Sequence, residues 1–427
     1  MKFAVIVFKW SFTMKENKDS ALSQYTWKHL RKIKTADIMV GISSYNNAHT
    51  INYVIYQAAK GLETHFLKLK SAIFISDGNS TDGTLETVKA MRLPFQVSII
   101  PATYVGTSGK GSAVKAIFEA AKFLKTKAVV LVDSDLRSIT PEWIRLLISP
   151  TLTGSGLITP FYIRHKYDGT ITNFLCYPVT SSLYGKEIRQ PIGGDFGLSI
   201  ELVKELLNSP LWQTSYVRKF GIDIFITHTA LAKGFEIKQA FLGTKVHEAK
   251  DPSKHLASMF RQVIESMFTC IQRYEETWTK ICDIQKVEMV GEEKSISSPE
   301  TINVDLKNLI ITYKSGFDTY KKIYREHLSN SLLKEVEELT KIDAKESSFP
   351  AETWAKIVYS FIASFRSGEQ SKNENLIDAL RILWIGKVAT FVKETLGLDT
   401  LDTEERVKEE ARVFVRLKPY LLDALKQ

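Results

Sequence analysis

Cysteine is nearly absent: Cys176, Cys270 and Cys282 are the only three in 427 residues. They stand too far apart for a zinc cluster, and their odd number argues against a disulfide framework, so a reducing, cytoplasmic setting is expected. No stretch approaches the ~20 apolar residues of a membrane span. The N-terminal run Phe3 to Phe8 is short, is interrupted by Lys9 and precedes no small-residue cleavage site, so neither integral membrane association nor secretion is expected. Met14 follows that run, and residues 1–13 read as an extension before the true start or as a short strand. Blocks of consecutive basic residues are also missing. The 57 Lys and Arg exceed the 48 Asp and Glu by nine, but they are interleaved with acids. That balance favours anionic ligands such as nucleotides, and it does not make a nucleic-acid platform. There is no internal repeat and no low-complexity tract.

What is present suits two domains with cores of their own, given 48.4 kDa, 44% hydrophobic and 25% charged residues. Residues 36–160 alternate β-rich runs (Ile38 to Ser43, Ala72 to Ser76, Val97 to Pro101, Ala128 to Val132, Gly156 to Pro160) with helical stretches near 47–60, 82–91 and 110–124. The alternation predicts an α/β fold, a mostly parallel sheet flanked by helices, with ligands at the carboxyl ends of the strands. From about Leu256 the apolar spacing becomes helical, around 303–327, 331–343, 351–366, 374–393 and 404–425. Polar breaks at Gly291–Pro299, Asp343–Pro350 and Ser367–Asn375 separate these helices. The expected division is an extension over 1–35, a nucleotide-binding domain over 36–255 and a helical region over 256–427.

Polar residues gather at the predicted strand ends. Asp133-Ser134-Asp135 follows the apolar run 128–132; carboxylates two residues apart on an extended backbone leave on one side and can face one hard cation holding a diphosphate. Asp77-Gly78-Asn79-Ser80-Thr81-Asp82-Gly83-Thr84 puts an acid at a strand tip, free to accept from a base or ribose, and then a helix cap at Ser80 or Asp82. Gly109-Lys110-Gly111 precedes a helix and brings a lysine toward a nucleotide, without the spacing of a P-loop. His247, after the β-like run Lys238 to Leu242, could complete a cation site begun by Asp135.

In order, Ser43–Asn47, Asp77–Thr84, Gly109-Lys110-Gly111, Asp133-Ser134-Asp135, Gln190-Pro191-Ile192-Gly193-Gly194-Asp195, Gly221-Ile222-Asp223 and His247 resemble the GT-A glycosyltransferases that make glucosyl-3-phosphoglycerate, glucosylglycerate and mannosylglycerate. The resemblance covers about 36–265. It implies a GT-A, Rossmann-like domain followed by a helical C-terminal region. It also implies Mg²⁺ or Mn²⁺ on Asp135 and His247. Donor contacts would come from Ser43, Tyr45, Asn47, Asp77, Gly78, Lys110, Ser134 and Asp135, with Asp133 and Asp223 at the donor sugar. The acceptor loop would be Asp168–Asn173, through Gly169, Thr170 and Thr172, with Arg164 nearby. Thr170 stands where the phosphoglycerate-using enzymes have Arg, which removes a planar fork suited to phosphate and favours unphosphorylated glycerate. Arg164, Arg189 or Lys166 could substitute for it. Lys245 likewise stands where an Arg is usual.

The expected reaction is therefore retaining transfer of a hexose, with UDP-glucose and D-glycerate as the leading pair, giving glucosylglycerate as a compatible solute. Glucosyl-3-phosphoglycerate or mannosylglycerate synthesis are the near alternatives, and a homodimer is implied. An inverting GT-A enzyme acting on a lipid or polysaccharide would need a general base, for which Asp195 is the candidate. A non-catalytic nucleotide-sugar-binding protein is the third reading.

Overall fold

The run Ile38-Met39-Val40-Gly41-Ile42 is apolar on both faces, the pattern of a strand covered by helices on each side. In the computed structural model it becomes β1 (Ile38–Ser44), followed by β2 (Ser71–Asp77), β3 (Ser98–Thr103), β4 (Ala128–Asp133) and β5 (Leu157–Ile163). Then come β6 (Lys186–Glu187), β7 (Phe196–Ser199), β8 (Ile237–Thr244), β9 (Gln285–Lys286) and β10 (Met289–Val290). The structure describes residues 19–247, 256–292, 298–341, 349–366 and 369–426; Met14 and the run Phe3 to Phe8 lie outside them. Eight strands join in the order β10-β8-β5-β7-β4-β1-β2-β3, and β6 pairs with β9 apart from them. Every pairing in the large sheet is parallel except those of β7, which lies antiparallel between β4 and β5. β7 was not foreseen from the sequence, because four residues are too few to display a period.

Helices Ile51–Phe66, Thr84–Ala90 and Lys110–Leu124 cross between the first four strands as expected. The cap of the helix Thr84–Ala90 is neither Ser80 nor Asp82 but Gly83, at φ +87; Asp82 Oδ1 accepts from Thr84 N–H at 3.0 Å from one residue further out. In the C-terminal half, Leu306–Thr319, Asn330–Lys341, Ala351–Ser364, Gln370–Glu394 and Thr400–Arg416 are the principal helices. The break expected over Ser367–Asn375 is shorter than read, since the helix already resumes at Gln370. Its polar first turns gain a structural use: Asn373 Oδ1 accepts from Arg366 N–H, and Asn373 Nδ2 donates back to Arg366 O at 2.5 Å. Among the described residues no helix is long and apolar enough to cross a membrane.

One hydrophobic cluster runs from Met39 and Phe74 through Phe225, Phe260 and Phe268 to Trp354, Trp384 and Phe414. The line drawn at residue 255 therefore separates two textures of sequence and not two cores. A second cluster fills the other face of the sheet, around Val40, Val54, Val130 and Trp143. The segment from Asp19 also belongs to the body: Asp19 pairs with Lys115 and Arg218, and Leu22 bridges to Tyr104.

His228 lies fully buried in the helix Ile222–Ala232, its Nε2 3.0 Å from Thr180 Oγ1, and burial lowers its pKa to about 3. The unfolded chain takes up this proton near pH 6.5, before the folded chain does. Its contribution to stability is thus complete above pH 6.5 and falls with acid toward pH 3, by ~1.4 kcal/mol per unit. His228→Gln should flatten that part of the curve of denaturation midpoint against pH. An unchanged acid slope would refute this assignment.

Candidate active site

The carboxyl ends of β1, β4, β5 and β8 open on a cavity of about 650 Å³. Asp133 closes β4 at its floor. Its N–H donates to Asp195 Oδ1 at 2.9 Å, and its carboxylate meets Lys110 Nζ at 2.8 Å and Lys245 Nζ at 3.4 Å. Burial by itself would raise the Asp133 pKa; the two ammonium groups outweigh it and hold the carboxyl well below its usual range. Lys110 reaches the floor because its helix starts hard against residues 217–219. A Cβ on Gly111 would lie 1.9 Å from Val217 O, and the N–H groups of Gly111 and Ser112 are taken by Lys219 O and Arg218 O. Those amides are therefore engaged, and the motif acts through the Lys110 side chain. Gly194, at φ +88, is needed for the same floor, since a Cβ there would stand 2.4 Å from Asp133 Oδ2.

Asp195 is not a free base. It precedes β7, and only the antiparallel course of that strand brings its start beside the end of β4. There it is completely buried, accepting from Asp133 N–H, from Lys245 Nζ at 3.0 Å and from the Tyr162 hydroxyl, and it does not line the cavity. Tyr162 was not singled out from the sequence, and Lys245 was noted only for standing where an Arg is usual. A polar-tipped residue at a strand's carboxyl end, the signal that marked Asp77 and Asp133, would have found both.

Asp223 enters from the first turn of its helix. One oxygen lies 3.4 Å from Lys110 Nζ; the other is buried without a hydrogen-bond partner among the described residues, and burial raises the carboxyl's pKa. The residue lines the cavity, and a carboxylate there can accept from a ligand hydroxyl.

Asp135 and His247 meet on the cavity wall, with Oδ2 and Nδ1 4.0 Å apart. Burial raises the Asp135 pKa and the charge of Asp133 raises it further, against the opposing pull of Lys245 and His247. An imidazole and a carboxylate across such a gap fit Mn²⁺ or Mg²⁺ as two of its ligands. Among the described residues no third His, Cys, Asp or Glu completes a metal cluster, so the other oxygens would have to come from a diphosphate and water.

The end of β1 and the loop after it also line the cavity, through Ser43 and through Tyr45 and Asn47. Asn47 Oδ1 accepts from Ser134 Oγ at 2.7 Å, which ties the Asp133-Ser134-Asp135 turn to this loop. Asp77, expected to be free, is closed off instead. It is fully buried and accepts from Ser44 Oγ, Ser80 Oγ and Ser80 N–H; neither it nor Gly78 lines the cavity. The acid orders the loop, and Tyr45 and Tyr104 form the surface above it.

Arg164, Gly169, Thr170 and Thr172 form the opposite wall. Thr170 opens a helix that passes through a π-helical turn, Thr172–Cys176. Of the three possible substitutes for the missing Arg, Arg189 is held by Glu404 at 2.6 Å and Lys166 by the carbonyls of Thr395 and Leu398. Arg164 lies over the Tyr162 ring, and its buried Nε has no hydrogen-bond partner among the described residues. The wall is braced from the helical half: Trp354 Nε1 donates to Phe174 O at 2.8 Å and Trp384 Nε1 to Thr170 O at 3.4 Å. Behind it a second cavity of about 450 Å³ extends to the helix Thr400–Arg416.

Residues 39–192 match the model of glycosyl transferase family 2. Glucosyl-3-phosphoglycerate synthase of Mycolicibacterium paratuberculosis is 28% identical over 221 residues, covering 47% of this chain and 63% of that protein. The enzyme of that name from Mycobacterium tuberculosis is 26% identical over 252 residues, covering 54% and 72%. The chain thus spans less than two thirds of the former relative's length. A crystal structure of the M. tuberculosis synthase with Mn²⁺, UDP-glucose and phosphoglyceric acid aligns at 24% identity and a TM-score of 0.45, over 57% of this chain and 82% of that one. Over residues 39–192 the chain is thus similar to glycosyl transferase family 2, and over about half of its length to the glucosyl-3-phosphoglycerate synthases.

Proposed function

We propose that the chain transfers a glucosyl group from UDP-glucose to D-glycerate with retention of configuration. The meeting of Asp135 with His247, 112 residues later in the chain, beside an Asp133 kept anionic by two lysines, carries this reading. A divalent cation bound there would act as a Lewis acid on the leaving diphosphate. Asp133 offers its charge to the donor sugar, and the Asp223 carboxylate accepts from one of the sugar hydroxyls. Gly169 and Thr172 present a backbone N–H and a hydroxyl to the acceptor carboxylate. The burial and full pairing of Asp195 remove the base that an inverting transfer would use, which supports same-face attack.

The rival acceptor is 3-phosphoglycerate, favoured by the names of the curated relatives. Thr170 and the commitment of Arg189 and Lys166 speak for glycerate; Arg164 is the residue through which a phosphate could still be held. The test incubates pure protein and Mn²⁺ with UDP-glucose or GDP-mannose against each acceptor, and reads the anomeric coupling of the product by proton NMR. An α-glucosyl product on glycerate, at a kcat/KM at least ~10-fold above that on 3-phosphoglycerate, is expected, about 1.4 kcal/mol of discrimination. A phosphorylated product at higher efficiency would reassign the acceptor, and no product from any pair would sink the reading.

A further inference from the structure

His247 has two ring nitrogens with two different neighbours. Nδ1 faces Asp135 Oδ2 at 4.0 Å, while Nε2 lies 3.2 Å from Asp168 Oδ2. Both side chains are largely buried, Asp168 at 14% exposure and His247 at 19%. A carboxylate can only accept, so the proton of a neutral imidazole resides on Nε2 when it bonds Asp168, and the Nδ1 lone pair is left toward Asp135. Asp168 is itself steadied by Arg164, whose guanidinium lies 3.8 Å away, and it directly precedes Gly169 and Thr170 on the cavity wall.

We propose that Asp168 is a positioning residue for the cation site, holding His247 in the tautomer and ring orientation that present Nδ1 beside Asp135. The loop that offers Gly169 and Thr172 to the acceptor therefore also builds the cation-binding edge of the cavity. Asp168 touches neither the cation nor a reacting atom; it acts through His247, as carboxylates that accept from a metal-bound imidazole do, and loss of such partners weakens metal binding ~10–100-fold. The inference rests on the cation reading of Asp135 and His247.

The test is calorimetric titration of Mn²⁺ into protein saturated with UDP, for the natural chain, Asp168→Ala and Asp168→Asn. Asp168→Ala should weaken Mn²⁺ by ~10–100-fold. Asp168→Asn keeps a carbonyl oxygen that accepts the Nε2 proton, and should stay within about 3-fold, as retention of that hydrogen bond requires. UDP binding measured without metal should be equal in all three, which excludes a folding defect. The activity lost in Asp168→Ala should recover as Mn²⁺ is raised. Natural Mn²⁺ affinity in Asp168→Ala would overturn the inference, and so would an Asp168→Asn as weak as Asp168→Ala, since charge and not orientation would then be at work. Absence of Mn²⁺ binding in the natural chain would instead refute the cation reading itself.

Discussion

Asp135→Ala should lower glucosyl transfer by about three orders of magnitude, and EDTA should do the same to the natural chain, with Mn²⁺ restoring only the latter. In the proposed reaction the leaving group is a nucleoside diphosphate, whose developing charge would have to be met in a partly buried site. A metal ion supplies several kcal/mol there, and ~4 kcal/mol is a thousandfold in rate. Two protein ligands cannot hold the ion well once one is gone. The carboxylate of Asp168 cannot replace Asp135, because it lies on the other nitrogen of His247. The measurement is the initial rate of UDP release with acceptor present, across a series of Mn²⁺ concentrations. If Asp135→Ala in EDTA kept more than about a tenth of the natural rate, a loss below ~1.4 kcal/mol, the cation would have no place in the step.

Lys245→Met should unfold more easily by about 3–5 kcal/mol, the cost of leaving buried charge unpaired. Lys245 is 3% exposed, and its ammonium touches Asp195 Oδ2, Gly193 O and Asp133 Oδ2 at 3.0, 3.1 and 3.4 Å, over the Tyr162 ring. Without it, Lys110 alone faces Asp133, Asp195 and Asp223. The Asp133 carboxyl then moves back up in pKa, so transfer should fall together with stability. Pairing the change with Asp195→Asn removes one of the stranded charges, and the double variant should regain part of the lost stability. Urea denaturation of the four chains gives the coupling energy directly. A Lys245→Met midpoint equal to that of the natural chain would show that the cluster is not held by this lysine.

The parallel core of the sheet could be read because its strands are long enough to show continuous apolar character, and two of them, β2 and β4, end in acids. Asp133 and Asp135 stood out by position at a strand end, His247 by position together with the family resemblance, and the structure brings the three to one cavity. Asp195 and Asp77 were visible as acids at the right places, but whether a carboxylate faces solvent or its own loop depends on neighbours far along the chain. Ser44 and Ser80 close Asp77; Lys245, Tyr162 and an unforeseen antiparallel strand close Asp195. The helical half could be read as helices, not as a brace for the wall, because the contacts that join them span 180 to 232 residues.

Those contacts have a bearing on how such a protein changes over generations. Trp384 holds the Thr170 carbonyl, Trp354 the Phe174 carbonyl and Glu404 the Arg189 guanidinium, and all three belong to helices that lie outside the matched family domain. A mutation in any of them can move the wall around Gly169 and Thr172 without altering a residue that meets the ligand. On the proposed function, lineages could then drift in acceptor preference while Asp133, Asp135 and His247 stay fixed, and grafting the loop alone from one relative to another would leave its supports behind.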